Sequence, residues 1–190
     1  TIESVNENRS QARDRNVLFN AQESVKQLQA GLALDWKTAA GTVKSSLYYS
    51  NRDFIGLLPF TNGGYVELNR DFAGLELSLN NSFNEFEWTL GASVQSQADD
   101  RKRFQNNEGV KGEMAMDQLE SFDSYGMYAL GSLNKPKYSL QAGVRFDVHQ
   151  ISMDDNFGLD QQYVDYSSRL SAYSPNIGFI YNLNKRDELY

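Results

Sequence analysis

His149 is the only histidine in the chain, and Asp147 stands two residues before it. On a strand, positions i and i+2 project to the same side, so the pair could share an iron or zinc ion. A closed metal site wants about three or four ligands, and no third ligand is evident, so both residues read as polar wall or loop residues and no metal is expected. A Ser-His-Asp hydrolase would need the same histidine, yet nothing marks a nucleophile beside it. Asp154, Asp155, Asp160 and Asp165 lack the spacing of a calcium loop and read as a solvated face. The chain has no cysteine, which removes thiolate chemistry and disulfides. Neither catalytic residues nor a cofactor are expected.

Binding residues are better candidates. Phe54 to Phe60 reads FIGLLPF between polar stretches. Apolar side chains gathered on a connection mark a contact surface. Phe54, Leu57, Leu58 and Phe60 therefore become candidates for closing over a substrate, with Tyr49 and Tyr65 adding aromatic contacts and Met114 and Met116 a second, sparser patch. The same residues can instead pack on neighbouring loops. Arg145 is expected to form an ion pair, with Glu76 or Glu87 as available partners.

The elements that would position these residues are strands. From Phe86 to Gln95, Phe86, Trp88, Leu90, Ala92 and Val94 alternate with Glu87, Thr89, Gly91, Ser93 and Gln95, the period-2 pattern of a strand with one apolar and one wet face. The pattern recurs over 24–37, 42–52, 72–83, about 121–133, 138–148 and about 170–183, giving about seven strands. Short turns are expected at Thr38–Gly41, Asn84-Glu85, Asn134–Lys137 and Asn184–Asp187. Long connections are expected over 53–69, 98–119 and 151–168, and residues 1–23 read largely as loop, with Val17, Phe19 and Ala21 able to form a short strand. In antiparallel order every short turn falls at one end and every long connection at the other. That asymmetry belongs to outer-membrane barrels, with short periplasmic turns and long external loops. Trp36, Phe83, Phe86, Trp88, Tyr138 and Tyr181 lie toward the short-turn end, where an interfacial aromatic girdle would sit.

Composition agrees. The chain has 190 residues, 40% of them hydrophobic and 13% aromatic, and a mean hydropathy of −0.59: its apolar residues are spent on thin layers. A formal net charge of −7 and the lack of a basic stripe argue against a nucleic-acid partner. No apolar run is long enough for a transmembrane helix, which leaves barrel strands open, since their hydrophobicity hides in alternation.

The run Tyr138–Asp147, YSLQAGVRFD, resembles the "aGvRyD" strand of TonB-dependent outer-membrane receptors. Tyr173–Tyr181, YSPNIGFIY, resembles the "SPrlGlvY" strand that follows it there, with Asn176 where Arg is common. Asp99–Asn106 and Gly109–Gln118 are similar to a connection in the siderophore and ferric-citrate branch. The resemblance implies an antiparallel up-and-down meander in a transmembrane β-barrel, with residues 1–190 part of one barrel domain from its middle. It further implies a plug domain elsewhere in the same full-length chain, coupling to TonB through that plug, an outer-membrane lipid environment in a Gram-negative bacterium, and a small-molecule metal chelate as ligand. A passive porin-like barrel is the first alternative. A soluble β-sandwich binding module, with Leu28, Leu32, Leu77, Leu90 and Val144 as core, is the second. Seven strands cannot close a circle of about 22, so a sheet of this size has two edges and one apolar face to cover. In water it is expected to curl over that face, to dimerise or to need detergent.

Overall fold

The computed structural model describes residues 11–158, 165–182 and 188–189. A single antiparallel sheet in sequence order carries the whole fold: β1 (Gln22–Thr38), β2 (Gly41–Leu57), β3 (Tyr65–Phe83), β4 (Phe86–Asn107), β5 (Val110–Asn134), β6 (Tyr138–Asp155), β7 (Tyr166–Asn182) and β8 (Glu188–Leu189). Each strand pairs with the next, as hairpins require. A short helix, α1 (Asp14–Leu18), precedes the sheet and takes up Val17, where a strand was expected. The turn expected at Asn184–Asp187 lies outside the described residues.

The strands are longer than their apolar stretches. The segment expected as connection over 53–69 is strand on both sides of a short turn, because β2 continues to Leu57 and β3 starts at Tyr65. The segment over 98–119 is one hairpin, turning at Glu108-Gly109. Both turn residues have positive φ, 54° and 94°, the pairing that lets a two-residue turn follow the strand twist. The two ends of the sheet therefore do differ, in reach: beyond the alternating stretch the chain continues as polar hairpin. Those residues alternate too, and a polar strand lacks the hydrophobic contrast that would have revealed it.

At the opposite end the turns are tight. Ala39-Ala40 is held by Thr38, whose hydroxyl donates to Gly41 O (2.9 Å) and accepts from Ala40 N (3.1 Å). Asn84 takes φ 53°, a left-handed conformation that Asn tolerates. Lys135 and Tyr138 exchange backbone hydrogen bonds of 2.8 and 3.3 Å.

Register places the apolar residues on one face. Leu32, Leu47, Leu75 and Val94 lie in one cross-strand row, and Trp36, Val43, Leu79 and Leu90 in another. Among the described residues no second layer covers this face: Leu77, Leu90 and Leu140 are 42%, 50% and 39% exposed. The sandwich reading fails here, since the side chains that would form its core stand in the open. The sheet does not curl over them either. A curved wall covers its outer face only by meeting another phase, and strand order alone supplies none.

Candidate functional site

The apolar face is bounded by aromatic side chains at two levels. Near the tight turns stand Trp36, Phe83, Phe86, Trp88, Tyr138 and Tyr181. Phe83 lies opposite Phe86 and Tyr138 opposite Tyr181, and Tyr138 also stacks on Phe179 at 6.3 Å. The second level was missed in the sequence. Tyr49, Tyr125 and Tyr173 are exposed on the same face toward the far end, opposite Ala73, Val94 and Phe146. Above it the face turns polar at once: Asp71 accepts from Tyr49 Oη (2.5 Å) and from Asn51 Nδ2 (3.0 Å), and Asn69 donates to Asp53 (2.5 Å). Three tyrosines spaced far apart in the chain leave no local motif, and only the register brings them level.

The other face is predominantly polar, with Phe54, Phe72, Leu130 and Ile151 among the exceptions. Tyr48 and Tyr128 lie flat on it, each over a glycine of the next strand. A Cβ built on Gly74 would fall 2.3 Å from the Tyr48 ring, and one on Gly91 would fall 2.2 Å from the Tyr128 ring, so both positions need the bare backbone. Arg145 pairs with Asp147, two residues along its own strand, at 2.8 Å. Glu76 and Glu87, the expected partners, make no ion pair with it. The reason is geometric: i and i+2 share a face and are closer than Glu87, two strands away, or Glu76, three strands away. His149 does share that face with Asp147, but it stacks on Phe122 (5.5 Å) while Asp147 is engaged by Arg145. Among the described residues no group of three metal-ligating side chains exists.

Toward the far end, the charge run Asp99–Arg103 is strand rather than part of the connection expected over 98–119. As strand, it sends Asp99, Arg101 and Arg103 to the polar face and Asp100 and Lys102 to the other. Asp99 is only 3% exposed. It receives both Nε (2.8 Å) and Nη2 (2.6 Å) of Arg70 and Nε2 of Gln97 (3.2 Å). The hydrogen bond to Asp99 raises the pKa of Arg70 further above its ordinary value, so the guanidinium stays charged despite partial burial. Arg101 pairs with Glu120 at 3.2 Å. On the opposite face, Lys102 is raised by its hydrogen bond to Asp100.

The substrate-contact candidates separate by position. Phe54 is in β2 on the polar face, its ring against its own Gly56 and 5.9 Å from the Arg52 guanidinium. Met116 lies opposite Arg103 on that same face. Tyr65 lies on the other face, edge-on to Phe104 (6.3 Å), with Lys111 Nζ 3.7 Å above the Phe104 ring and 2.6 Å from Glu67. Met114 is opposite Phe104 across a register shift. Leu57 is buried, Leu58 half-buried and Phe60 exposed at the turn. The candidates are thus divided between the two faces and the turn.

Asn106 was also missed. It is fully buried and ties three segments together. Its Nδ2 donates to Phe19 O (3.0 Å) and Leu58 O (2.9 Å), its Oδ1 accepts from Gly109 N (2.7 Å), and its backbone N donates to Thr61 O (2.8 Å). An asparagine in a polar run gives no signal of this, because its partners are backbone atoms 48 and 87 residues away.

A long-stranded antiparallel meander, apolar between two aromatic levels on one face and polar on the other, defines a segment of β-barrel wall of the outer-membrane type. The chain belongs to the family described as TonB dependent receptor-like, beta-barrel, whose model matches residues 3–190. That family is one of transport receptors of the Gram-negative outer membrane. Solved structures with the same fold include the ferric citrate transporter FecA in its unliganded form (TM-score 0.70, 12% identity, 87% of this chain and 26% of that one). They also include the copper transporter OprC (0.67, 14%, 87% and 29%) and the siderophore receptor PiuA from Acinetobacter baumannii (0.67, 11%, 87% and 31%). The chain therefore spans about a third or less of the length of these structures. No curated protein matches the sequence.

Proposed function

We propose that this chain is a mid-barrel segment of an outer-membrane receptor that takes up an iron chelate or a similarly scarce nutrient with energy coupled through TonB. The observation that carries the reading is the apolar band between two aromatic levels. From Phe86 to Val94, the residue opposite Tyr125, is eight residues along β4, about 26 Å at ~3.3 Å per residue. At a tilt of ~40° that becomes about 20 Å of height, close to the ~25 Å band of outer-membrane barrels. Trp36, Phe83, Phe86, Trp88, Tyr138 and Tyr181 then sit at the periplasmic interface, and Tyr49, Tyr125 and Tyr173 at the outer one. Leu77, Leu90 and Leu140 contact lipid.

In this reading the polar face lines the lumen and meets the plug, which belongs to the same full-length chain as one barrel domain encloses it. Phe54 and Met116 stand on the lumen side of the external hairpins, where a ligand passes. No covalent step is involved; the wall contributes shape, charge and hydrogen bonds. Uptake of a metal complex is favoured over other cargo because FecA and PiuA are ferric citrate and siderophore proteins and OprC transports copper. The test is fractionation of cells expressing the full-length protein. The protein is expected in the outer membrane, with heat-modifiable migration on a gel. A full-length protein found only in the soluble fraction overturns the reading.

A further inference from the structure

On the apolar side of the sheet, beyond the level of Tyr49, two cross-strand rows of mostly polar residues enclose a cavity of about 320 Å³. Lys26, Asp53, Asn69 and Asp100 form the lower row, each directly opposite the next. In the row above, Ile55, Glu67 and Lys102 follow in the same way. Most of these groups satisfy one another. Asn69 donates to Asp53, Lys102 pairs with Asp100 Oδ2 at 2.9 Å, and Lys111 pairs with Glu67 at 2.6 Å. Two groups are left over. Asp100 Oδ1 is buried with no hydrogen-bond donor. Lys26, although opposite Asp53, has no carboxylate within ion-pair distance among the described residues.

A buried acceptor without a donor has lost its hydration for nothing, and an ammonium with its donors unspent suits an anionic oxygen group. A ligand that meets both needs carries an anionic group at one end and hydroxyl donors at the other. Three strand spacings, about 14 Å, separate the Cα atoms of Lys26 and Asp100, so one compact unit between the side chains reaches both. Height narrows the choice. Asp53 and Ile55 are four and six residues beyond Tyr49 on β2, about 13 and 20 Å at ~3.3 Å per residue. At a tilt of ~40° they stand about 10 and 15 Å above the outer tyrosine level. Phospholipid headgroups extend only about 5–8 Å beyond the hydrocarbon on each side, whereas a glycosylated headgroup reaches further. The face excludes a transported solute, which passes on the other side of the wall.

We infer that this cavity binds the phosphorylated saccharide headgroup of a glycolipid in the outer leaflet. Lys26 takes the phosphate, a sugar hydroxyl donates to Asp100 Oδ1, and Ile55 offers the apolar surface on which a sugar ring rests. Lys102 and Lys111 neutralise Asp100 and Glu67, so the phosphate is not repelled by the carboxylates around it. A volume of about 300 Å³ is the small end of ligand pockets, which suits a single headgroup unit rather than a long glycan. The inference rests on the placement of the two faces in the membrane given above, and not on the uptake of any solute.

The experiment uses the full-length receptor, refolded from urea into detergent free of lipopolysaccharide, with deep-rough lipopolysaccharide as probe. Its phosphatase-treated form and phosphatidylglycerol are the controls, and native mass spectrometry reads the fraction of receptor that carries lipid. Wild type is expected to bind intact lipopolysaccharide in preference to both controls. K26Q/D100N keeps the net charge of wild type and turns the orphan acceptor into an amide. Shown to be folded by heat-modifiable migration, it is expected to bind lipopolysaccharide about 10- to 100-fold more weakly, while K26R stays close to wild type. Undiminished binding of lipopolysaccharide to K26Q/D100N overturns the inference. Equal binding of phosphatidylglycerol to wild type overturns the saccharide class, and equal binding of the phosphatase-treated form overturns the phosphate contact. Energised uptake is expected to be the same in K26Q/D100N as in wild type. Its absence from wild type overturns the uptake function and leaves the lipid site standing, whereas a full-length protein found only in the soluble fraction overturns both.

Discussion

Replacing Leu90 with arginine puts a charge at the middle of the apolar band. Leu90 is half exposed, between Leu79 and Ala129. It is four residues from Phe86 and four from Val94, about 10 Å of height from either aromatic level at ~3.3 Å per residue and a tilt of ~40°. At that depth arginine costs about 2–4 kcal/mol in a barrel, falling to about 0–1 kcal/mol near an interface. At 1.36 kcal/mol per decade this is about a 30- to 900-fold loss in the folding equilibrium. V94R, at the upper aromatic level, is expected to cost at most about 1 kcal/mol. Q95R, on the polar face one residue further on, is expected to be near neutral. The assay is urea-titrated folding of the full-length protein into lipid vesicles, followed by heat-modifiable migration. A Leu90→Arg cost no larger than that of Gln95→Arg refutes the assignment of faces.

Asn106→Leu removes a buried side chain that satisfies two carbonyls and one amide; a cost of about 1–3 kcal/mol per group left unsatisfied should appear as faster proteolysis within 58–64 and at Glu108-Gly109. Gly91→Ala places a methyl against the Tyr128 ring, and overpacking of about 1–3 kcal/mol should lower the urea midpoint, with Y128A/G91A restoring part of it. Asp99→Asn leaves Arg70 charged and facing Arg52, so it should destabilise the barrel by more than Arg70→Gln does, a difference read in the same titration. At the turn end, the Lys135 hydrogen bond holds the Glu85 carboxylate below its ordinary range. A lowered folded pKa gives stability that is present above the unfolded pKa and is lost as pH falls through the folded one. Glu85→Gln should therefore abolish a small acid-side slope in stability, measured by urea titration from neutral pH downward.

The alternation of Phe86–Val94 and Tyr138–Val148 was legible because each strand is apolar on one face only. Side-chain period then reports both the strand and its orientation. The turns at Thr38–Gly41, Asn84-Glu85 and Asn134–Lys137 were legible from their own residues, whereas the β2–β3 turn falls inside a segment otherwise expected as connection. Hydropathy could not show that Asp99–Asn107 continues β4, since both faces of that stretch are polar. The candidate site was legible least. Asp99 and Arg70 are 29 residues apart, and Arg52 and Arg70 meet only through the β2–β3 register. Arg145 shows the converse, a partner two residues away on its own strand that was passed over in favour of distant ones.

Energised uptake tests the account most directly. Cells carrying the full-length receptor would be given radiolabelled ferric chelates, with TonB present or deleted and with the proton-motive force intact or collapsed. Accumulation is expected to require TonB and the proton-motive force and to cease without either. Accumulation at the same rate in cells lacking TonB would mean a passive pore, and would contradict this expectation.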